Sequence, residues 1–276
     1  MEGVQDTVTE SLAASSASSA FPAFYQSRGP GRYLPTHHTA GPWSPDAQHF
    51  GPPSALLVRE LERLADGGKR LARVTVEILG PAPLTELTVS AQVSRPGRSV
   101  ELVSARLAAG DRTVAVASAW RLAGTDTREA ATADGPSGPT ADECPRASWP
   151  EAWLGGYLDA VEWRVARGDV AGPGPSAVWA RQRVALVDDE VPSPWQRLFA
   201  IADSGSGVSN VLDPTRWLFI NSELTVHLLR EPEGEWIGMA AETSVGPRGV
   251  GTARSTLSDA GGTVAFGTQA LLVRPR

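Results

Sequence analysis

The sequence feature that most constrains the fold is an internal repeat with an offset of 150 residues. Residues 74–122 align on residues 224–272 without a gap, with 12 identities in 49 positions. The turn residues between the apolar stretches coincide along the whole alignment. A repeat that keeps its register over four stretches and their turns indicates a duplicated domain, so we expect two similar structural units.

Each repeat follows a segment in which apolar residues recur at helical spacing. Leucines recur at this spacing between residues 52 and 64, where Pro52 and Pro53 suit a helix start. Residues 194–202 place their large apolar side chains on one face of a second predicted helix. Each repeat therefore contributes one amphipathic helix that needs an apolar surface to cover it.

The remaining ordered segments have the alternation that is typical of strands. In the first half, strands are predicted at 74–78, 87–93, 99–108 and 113–122. In the second half, they are predicted at 159–167, 177–187, 218–229, 236–244, 250–257 and 263–273. Each unit is thus a helix followed by four antiparallel strands, with one or two extra strands before the helix. The predicted class is α+β, with each helix wrapped by its sheet and the two units packed as an internal dimer.

Two segments are predicted to lie outside these units. Residues 1–20 are rich in Ser, Ala and Thr and are expected to form a disordered tail. Residues 123–148 are rich in Gly, Pro, Asp and Thr, which indicates a flexible linker. The linker contains Cys144, the only cysteine, for which we expect no structural or catalytic role. The predicted domains are residues 21–122 and 149–276, with the catalytic residues in the second.

Composition excludes several classes of function. The net charge of −6 is unlike the basic footprint of a nucleic-acid binder. No apolar run reaches the length of a membrane-spanning helix, and the first residues lack a secretory signal, so a cytoplasmic protein is expected. The four histidines and one cysteine have no metal-site spacing, so neither a metal nor a cofactor is expected.

Three polar residues interrupt apolar stretches of the second half. Asp203 ends the predicted second helix, Asn221 interrupts one strand, and Gln269 interrupts the last strand. Asn221 and Gln269 alone are each more often solvated residues than ligands, and Asp203 can also be read as a helix-end residue that faces water. The 150-residue offset gives their counterparts in the first half as Pro53, Leu71 and Ala119. Because all three polar groups are missing there, the repeat suggests a single site for the pair of units.

The chain resembles a known family in the residues around these positions. It is similar to the thioesterase II (TesB-like) acyl-CoA thioesterases, which are double hotdog proteins, and most of all to their actinobacterial branch. The resemblance covers most of residues 22–276. It is carried by the motifs Gly41–His49, Ser193–Arg197, Ala202–Gly205, Trp217–Asn221, Leu224–His227, Gly234–Trp236 and Thr268–Leu272.

The resemblance implies a set of site residues. In the family an Asp, a Thr and a Gln hold the attacking water, and these positions fall on Asp203, Asn221 and Gln269. Asparagine at the Thr position can exchange hydrogen bonds with water but cannot relay a proton as a hydroxyl does. The resemblance also implies substrate contacts for Ser222, His49 and Gly51. Phe50, between His49 and Gly51, stands where relatives often have a second glycine.

The implied activity is hydrolysis of acyl-CoA or a related thioester, in fatty acid metabolism. Asp203 would act as general base, and the acyl chain would enter an apolar channel between the halves. Acyl-CoA is then the expected partner, and a homo-oligomer is possible. Two alternatives stay open: an acyl-thioester-binding protein without activity, and a hydratase or dehydratase. Against the latter, the sequence shows no Asp/His pair in the usual hydratase arrangement around Asp203, and the nearest histidine in sequence is His227.

Overall fold

The computed structural model describes residues 22–42, 44–132, 135 and 138–276. The predicted tail and Trp43 of the Gly41–His49 motif lie outside the described residues. The first half contains β1 (Ala23–Ser27), β2 (Arg32–Pro35), β3 (Ala40–Gly41), β4 (Ser44–Gln48), α1 (Gly51–Glu62), β5 (Lys69–Ile78), β6 (Leu87–Arg95), β7 (Val100–Ala109) and β8 (Arg112–Ala123). The helix and the four strands after it confirm the prediction for this half.

The second half follows the same order with more interruptions. Its elements are α2 (Gly156–Ala160), β9 (Val161–Arg167), β10 (Ser176–Gln182), β11 (Ala185–Val187), α3 (Pro194–Ala202), α4 (Gly205–Val208), β12 (Trp217–Asn221), β13 (Glu223–Leu228), β14 (Ile237–Val245), β15 (Val250–Asp259) and β16 (Gly262–Pro275). The helix predicted at 194–202 is confirmed with the same bounds.

Three strand predictions in this half are wrong in detail. The strand expected at 159–167 begins as the short helix α2. The strand expected at 177–187 divides into β10 and β11. Strand β11 pairs in parallel with β1, which belongs to the first half. The strand expected at 218–229 divides at Ser222 into β12 and β13. The division at Ser222 separates the end of β12 from β13, and Asn221 lies at that end.

The two halves join into one sheet around a local two-fold axis. The strand order is β11-β1-β2-β6-β7-β8-β5-β13-β16-β15-β14-β10-β9, with β12 pairing on β16. At the centre, β5 and β13 pair antiparallel, and Thr75 lies opposite Thr225 with their Oγ1 atoms 3.0 Å apart. These two threonines are 150 residues apart, so each pairs with its own counterpart in the repeat. Such self-complementary pairing confirms the predicted internal dimer.

The repeat extends to an irregularity of the strands. The pairing of β7 with β8 shifts register between Leu107 and Ala108. The pairing of β15 with β16 shifts between Leu257 and Ser258, at the same place after the 150-residue offset. Because a bulge is a specific local feature of a sheet, its repetition supports duplication of one ancestral unit.

The last part of the predicted linker packs on the second half. Ala141 and Cys144 are buried in a small cluster with Trp179. The indole N–H of Trp179 donates to the carbonyl oxygen of Pro139 at 2.9 Å. Cys144, for which the sequence predicts no structural role, therefore contributes to the packing of residues 138–148 against β10.

Helices α1 and α3 pack against each other inside the sheet. Pro194 opens α3, and the Ser193 side chain caps it by accepting the N–H of Gln196. The two helices approach closely at Gly51, where a Cβ atom would lie 2.2 Å from the carbonyl oxygen of Ala200. A residue without a side chain is therefore required at the start of α1.

We expect Gly51→Ala to lower the free energy of unfolding by about 3 kcal/mol, since the clashing atom belongs to a helix backbone that cannot turn away. Urea denaturation followed by circular dichroism measures the change. Gly207→Ala is the matched control, because, apart from its chain neighbours and its own helix backbone, no described atom lies within 4 Å of the position that its Cβ would take. A Gly51→Ala protein as stable as the Gly207→Ala protein would contradict the close-packing argument.

Candidate active site

A cavity of about 500 Å³ lies between the two halves. The first half contributes the segment before α1 and the chain that follows β5, and the second half contributes residues around Asp203, Asn221 and the start of β9. Its surface is mainly apolar and is rich in aromatic rings. A mostly apolar cavity with a few convergent polar groups is typical of a small-molecule site.

The structure brings the three predicted polar residues together at this cavity. Asp203 caps the C-terminus of α3 and is 6% exposed. The side-chain Nδ2 of Asn221 donates to Asp203 Oδ1 at 2.7 Å. Gln269 Nε2 donates to the same Oδ1 at 3.2 Å and to the backbone oxygen of Asp203 at 2.9 Å. The carboxylate is therefore held by two amide side chains from neighbouring strands.

The sheet determines where both amides point. Asn221 is the last residue of β12 and pairs with Leu271, whereas Gln269 lies on β16 opposite Ala253. The Gln269 side chain is buried, and its Oε1 accepts the backbone N–H of Ser206 at 3.0 Å. With both ends of its amide engaged, Gln269 has one defined orientation toward Asp203.

Burial changes the protonation of Asp203. It raises the pKa of the carboxyl from 3.8 to about 7, even though donors from Asn221, Gln269 and the Phe50 backbone oppose the shift. Desolvation penalises the charged form more than these donors stabilise it. Asp203 consequently exchanges its proton near neutral pH.

His49 lies beside Asp203, a neighbour that the sequence did not indicate. Its Nδ1 is 3.8 Å from Asp203 Oδ2, and its ring stacks on Tyr157 with centroids 3.8 Å apart. His49 Nδ1 accepts the backbone N–H of Gly51 at 3.0 Å, which leaves the proton of the neutral ring on Nε2. Burial lowers the pKa of His49 to about 3. The two side chains are therefore neighbours but not an ion pair at neutral pH.

The other predicted contacts differ in position. Ser222 is exposed, lines the cavity, and directs its Oγ to the carbonyl oxygen of Ala270 at 3.4 Å. Gly51 is buried between the helices and reaches the site through its N–H bond to His49. Substrate contact by Ser222, His49 and Gly51 stays a prediction.

Tyr157 is a site residue that the sequence did not indicate. Its hydroxyl lies 2.8 Å from the carbonyl oxygen of Ala200, to which it donates, and 2.9 Å from Ser204 Oγ. Tyr157 thus contacts both the end of α3, through its hydroxyl, and the ring of His49, through stacking. The one available signal was its place in a Trp-rich segment that follows the predicted linker.

One of the three repeat counterparts is also wrong. Asn221 pairs with Leu271 as Leu71 pairs with Arg121, so these positions are equivalent. Asp203, however, ends α3, whereas Pro53 lies in the first turn of α1. The 150-residue offset holds for the strands and fails for the helices, because the connection between helix and strand differs in length.

The described residues hold no group of three or more His, Cys, Asp or Glu side chains placed to bind a metal ion. Within the same residues, no helix has the length and apolar character needed to cross a membrane.

Comparison with known proteins covers both halves. A sequence model of the acyl-CoA thioesterase N-terminal domain matches residues 39–122, and a model of the C-terminal domain matches residues 141–273. No curated protein sequence matches the chain.

Solved structures share the architecture at low sequence identity. A hotdog-fold protein of unknown function from Alicyclobacillus acidocaldarius has a TM-score of 0.70 and 17% identity, over 88% of this chain and 92% of that chain. The tesB protein of Mycobacterium avium subspecies paratuberculosis has a TM-score of 0.65 and 13% identity, over 91% and 96%. An acyl-CoA thioesterase II from Mycobacterium marinum has a TM-score of 0.62 and 14% identity, over 91% and 95%. These likenesses confirm the double hotdog fold.

Proposed function

The chain belongs to the family of acyl-CoA thioesterases with paired N- and C-terminal domains, and on that premise we propose that it hydrolyses acyl-CoA with a water molecule activated by Asp203. The observation that carries this proposal is the buried Asp203 carboxylate, held by Asn221 and Gln269 at the wall of the cavity. A general base works best when its pKa lies near the working pH, and burial places the pKa of Asp203 at about 7.

The two carboxylate oxygens of Asp203 differ in their hydrogen bonds and therefore in their proposed roles. Asn221 and Gln269 both donate to Oδ1. The backbone N–H of Phe50 also donates to the carboxylate. Oδ2 receives no side-chain hydrogen bond from the described residues, so it can still accept a water proton. The side-chain oxygen of Asn221 has no donor among the same residues, so it can accept the second proton of that water. Asparagine thus orients the water without relaying a proton.

The reaction then needs no covalent enzyme intermediate. The water oxygen attacks the thioester carbonyl carbon while Asp203 takes one water proton. The C–S bond breaks as the tetrahedral intermediate collapses, and the departing CoA thiolate receives that proton from Asp203. The products are a carboxylic acid and free CoA, and the carboxylate of Asp203 is restored.

Neutral His49 is suited to stabilise the developing oxyanion. Its ring lines the cavity, and its remaining proton is on Nε2 because Nδ1 accepts from Gly51. A preorganised donor in a water-poor site stabilises negative charge without reorganisation. A hydratase role would require His49 to transfer a proton to the substrate. With a pKa of about 3, the ring stays neutral at physiological pH, so it can donate a hydrogen bond but is a poor general acid.

The proposal is tested by thiol release from octanoyl-CoA between pH 5 and pH 9. We expect kcat/KM to rise with pH through a midpoint of about 7 and then to level off, because Asp203 must be deprotonated to accept a proton. Circular dichroism at each pH controls for unfolding. A flat profile over this range, or no thiol release at any pH, would contradict the assignment of Asp203 as general base.

A further inference from the structure

The cavity has a basic residue at the end of β12 opposite to Asp203. Among the described residues that line it, Arg276 is the only Arg or Lys and Asp203 is the only Asp or Glu. Strand β12 runs between them: it ends at Asn221 beside Asp203, and before its start the N–H of Arg276 donates to the carbonyl oxygen of Arg216 at 3.0 Å. The cavity therefore connects the reacting carboxyl to a guanidinium along one strand.

Arg276 is one of three arginines that we call the arginine end of the cavity: Arg216, Arg274 and Arg276. Arg274 precedes Arg276 by two residues on β16, and Arg216 directly precedes β12, the partner strand of β16. All three are exposed. Unlike Arg230 and Arg254 in the same half, none of them has an ion pair within 4.0 Å in the part of the chain that the structure describes.

The arginine end has little negative charge of its own. The hydroxyl and the N–H of Thr215 lower the pKa of Asp213, and the nearby charge of Arg216 lowers it less. Arg276 Nε donates to the carbonyl oxygen of Pro214 at 2.7 Å, which orients the guanidinium and leaves its two terminal nitrogens without a partner among the described residues. Such a group of cations attracts an anionic ligand.

The arginine end is also the open end of the cavity. Next to it, the lining side chains of Ile220 and Leu272 are 48% and 52% exposed, whereas Leu158 and Val208, which line the cavity elsewhere, are buried. The nucleotide of CoA carries several charges that are costly to enclose, so it has to stay at the exposed end. A CoA thioester would therefore reach Asp203 from the arginine end.

The length of β12 matches the length of the pantetheine arm of CoA. From Asn221 to Arg216 the chain advances by five residues of about 3.3 Å each, or about 17 Å. The arm has about thirteen bonds between its sulfur and the first phosphorus, and an extended chain of that length spans about 15 Å. A thioester at Asp203 thus places the first phosphate within reach of the arginine side chains.

From these observations we infer that Arg216, Arg274 and Arg276 bind the phosphate groups of CoA while the pantetheine arm lies along β12. A guanidinium group matches a phosphate because it can donate two parallel hydrogen bonds to it. This inference rests on the proposed hydrolysis of acyl-CoA, because it names the part of the carrier that the same cavity recognises.

The test compares three non-hydrolysable thioethers with the same octyl group by isothermal titration calorimetry. They are S-octylpantetheine, S-octyl-4′-phosphopantetheine and S-octyl-CoA. We expect the second to bind about tenfold more tightly than the first, and S-octyl-CoA to bind more tightly still. Equal binding of the first two overturns the inference. Equal binding of the last two would show that only the phosphate shared with acyl carrier proteins is recognised, which overturns the assignment to CoA.

A double substitution assigns the preference to the arginine end. In Arg274→Gln/Arg276→Gln we expect the ratio of dissociation constants for S-octylpantetheine and S-octyl-4′-phosphopantetheine to fall from about 10 to about 1. Arg106→Gln/Arg254→Gln is the charge-matched control, because both of these arginines are exposed on strands and lie outside the cavity lining. It should keep the wild-type ratio. A wild-type ratio in the first double variant overturns the inference.

Binding of the thioethers does not require hydrolysis, so the two proposals can fail separately. A phosphate preference that depends on Arg274 and Arg276, without thiol release from octanoyl-CoA, removes only the proposed function. Thiol release that depends on Asp203, without any phosphate preference, removes only the assignment of the arginine end.

Discussion

Replacing Asp203 with asparagine is expected to lower kcat for octanoyl-CoA by about a thousandfold, while the protein stays folded. The loss corresponds to the usual contribution of a general base. The asparagine keeps an oxygen that can accept from Asn221 Nδ2, so the hydrogen bond now measured at 2.7 Å can persist. Stopped-flow detection of released thiol at pH 8, where wild-type Asp203 is charged, measures the change.

The same substitution is expected to stabilise the protein at high pH. Burial raises the pKa of Asp203 from 3.8 to about 7, so the folded state holds this proton more tightly than the unfolded state. Stability from this group is therefore complete below about pH 4 and is lost as the pH rises through 7. Asparagine does not titrate, and the variant should exceed the wild type at pH 8 by up to about 4 kcal/mol. The gain is smaller than this limit, because asparagine offers one side-chain oxygen to the donors of Asn221, Gln269 and Phe50, whereas the carboxylate offers two.

Asp259→Asn is the matched control. Asp259 is also buried in the second half; burial opposes its ionisation, but hydrogen bonds from Arg230 and from the N–H groups of Glu233 and Gly261 hold its pKa below the ordinary value. Its substitution should lower stability at pH 8 and leave kcat unchanged. An Asp203→Asn protein that retains more than a tenth of wild-type kcat would contradict a general-base role.

The strands of this protein could be predicted because their information is local. Alternating apolar residues and turn residues repeat with a fixed offset, and the structure reproduces that offset down to the bulges after Leu107 and Leu257. Asn221 and Gln269 were recognisable for the same reason. They are polar residues at strand positions whose counterparts in the other half, Leu71 and Ala119, are apolar.

The helices themselves were predicted from their periodicity, but their correspondence between the halves and the position of His49 could not be predicted from the repeat. The offset fails for Asp203, since α1 and α3 connect to their strands through segments of different length. His49 reaches Asp203 only because Gly51 lets α1 approach α3 at Ala200, across about 150 residues of sequence. No local pattern encodes that approach. The parallel pairing of β11 with β1 depends likewise on contacts between the two halves.

Replacing Gln269 with glutamate is expected to lower kcat/KM at pH 7 by about a hundredfold and to move the midpoint of its pH profile from about 7 to about 8 or higher. The new carboxylate can still accept the N–H of Ser206, as Gln269 Oε1 does at 3.0 Å. Its second oxygen, however, replaces the donor that lies 3.2 Å from Asp203 Oδ1. Two buried carboxylates at that distance cannot both ionise, so the pair of Asp203 and the new glutamate keeps one shared proton to a higher pH than Asp203 alone.

The direction of the pH shift distinguishes this electrostatic effect from a simple loss of orientation. Gln269→Ala removes the donor without adding a charge, and it should lower kcat with a much smaller change of the midpoint. Thr268→Glu is the charge-matched control, because Thr268 is the preceding residue of β16 and its side chain is exposed on the opposite face of the sheet. Its profile should match the wild type, since a solvated charge is screened. A Gln269→Glu profile with its midpoint still at about 7 would show that Gln269 does not control the proton of Asp203.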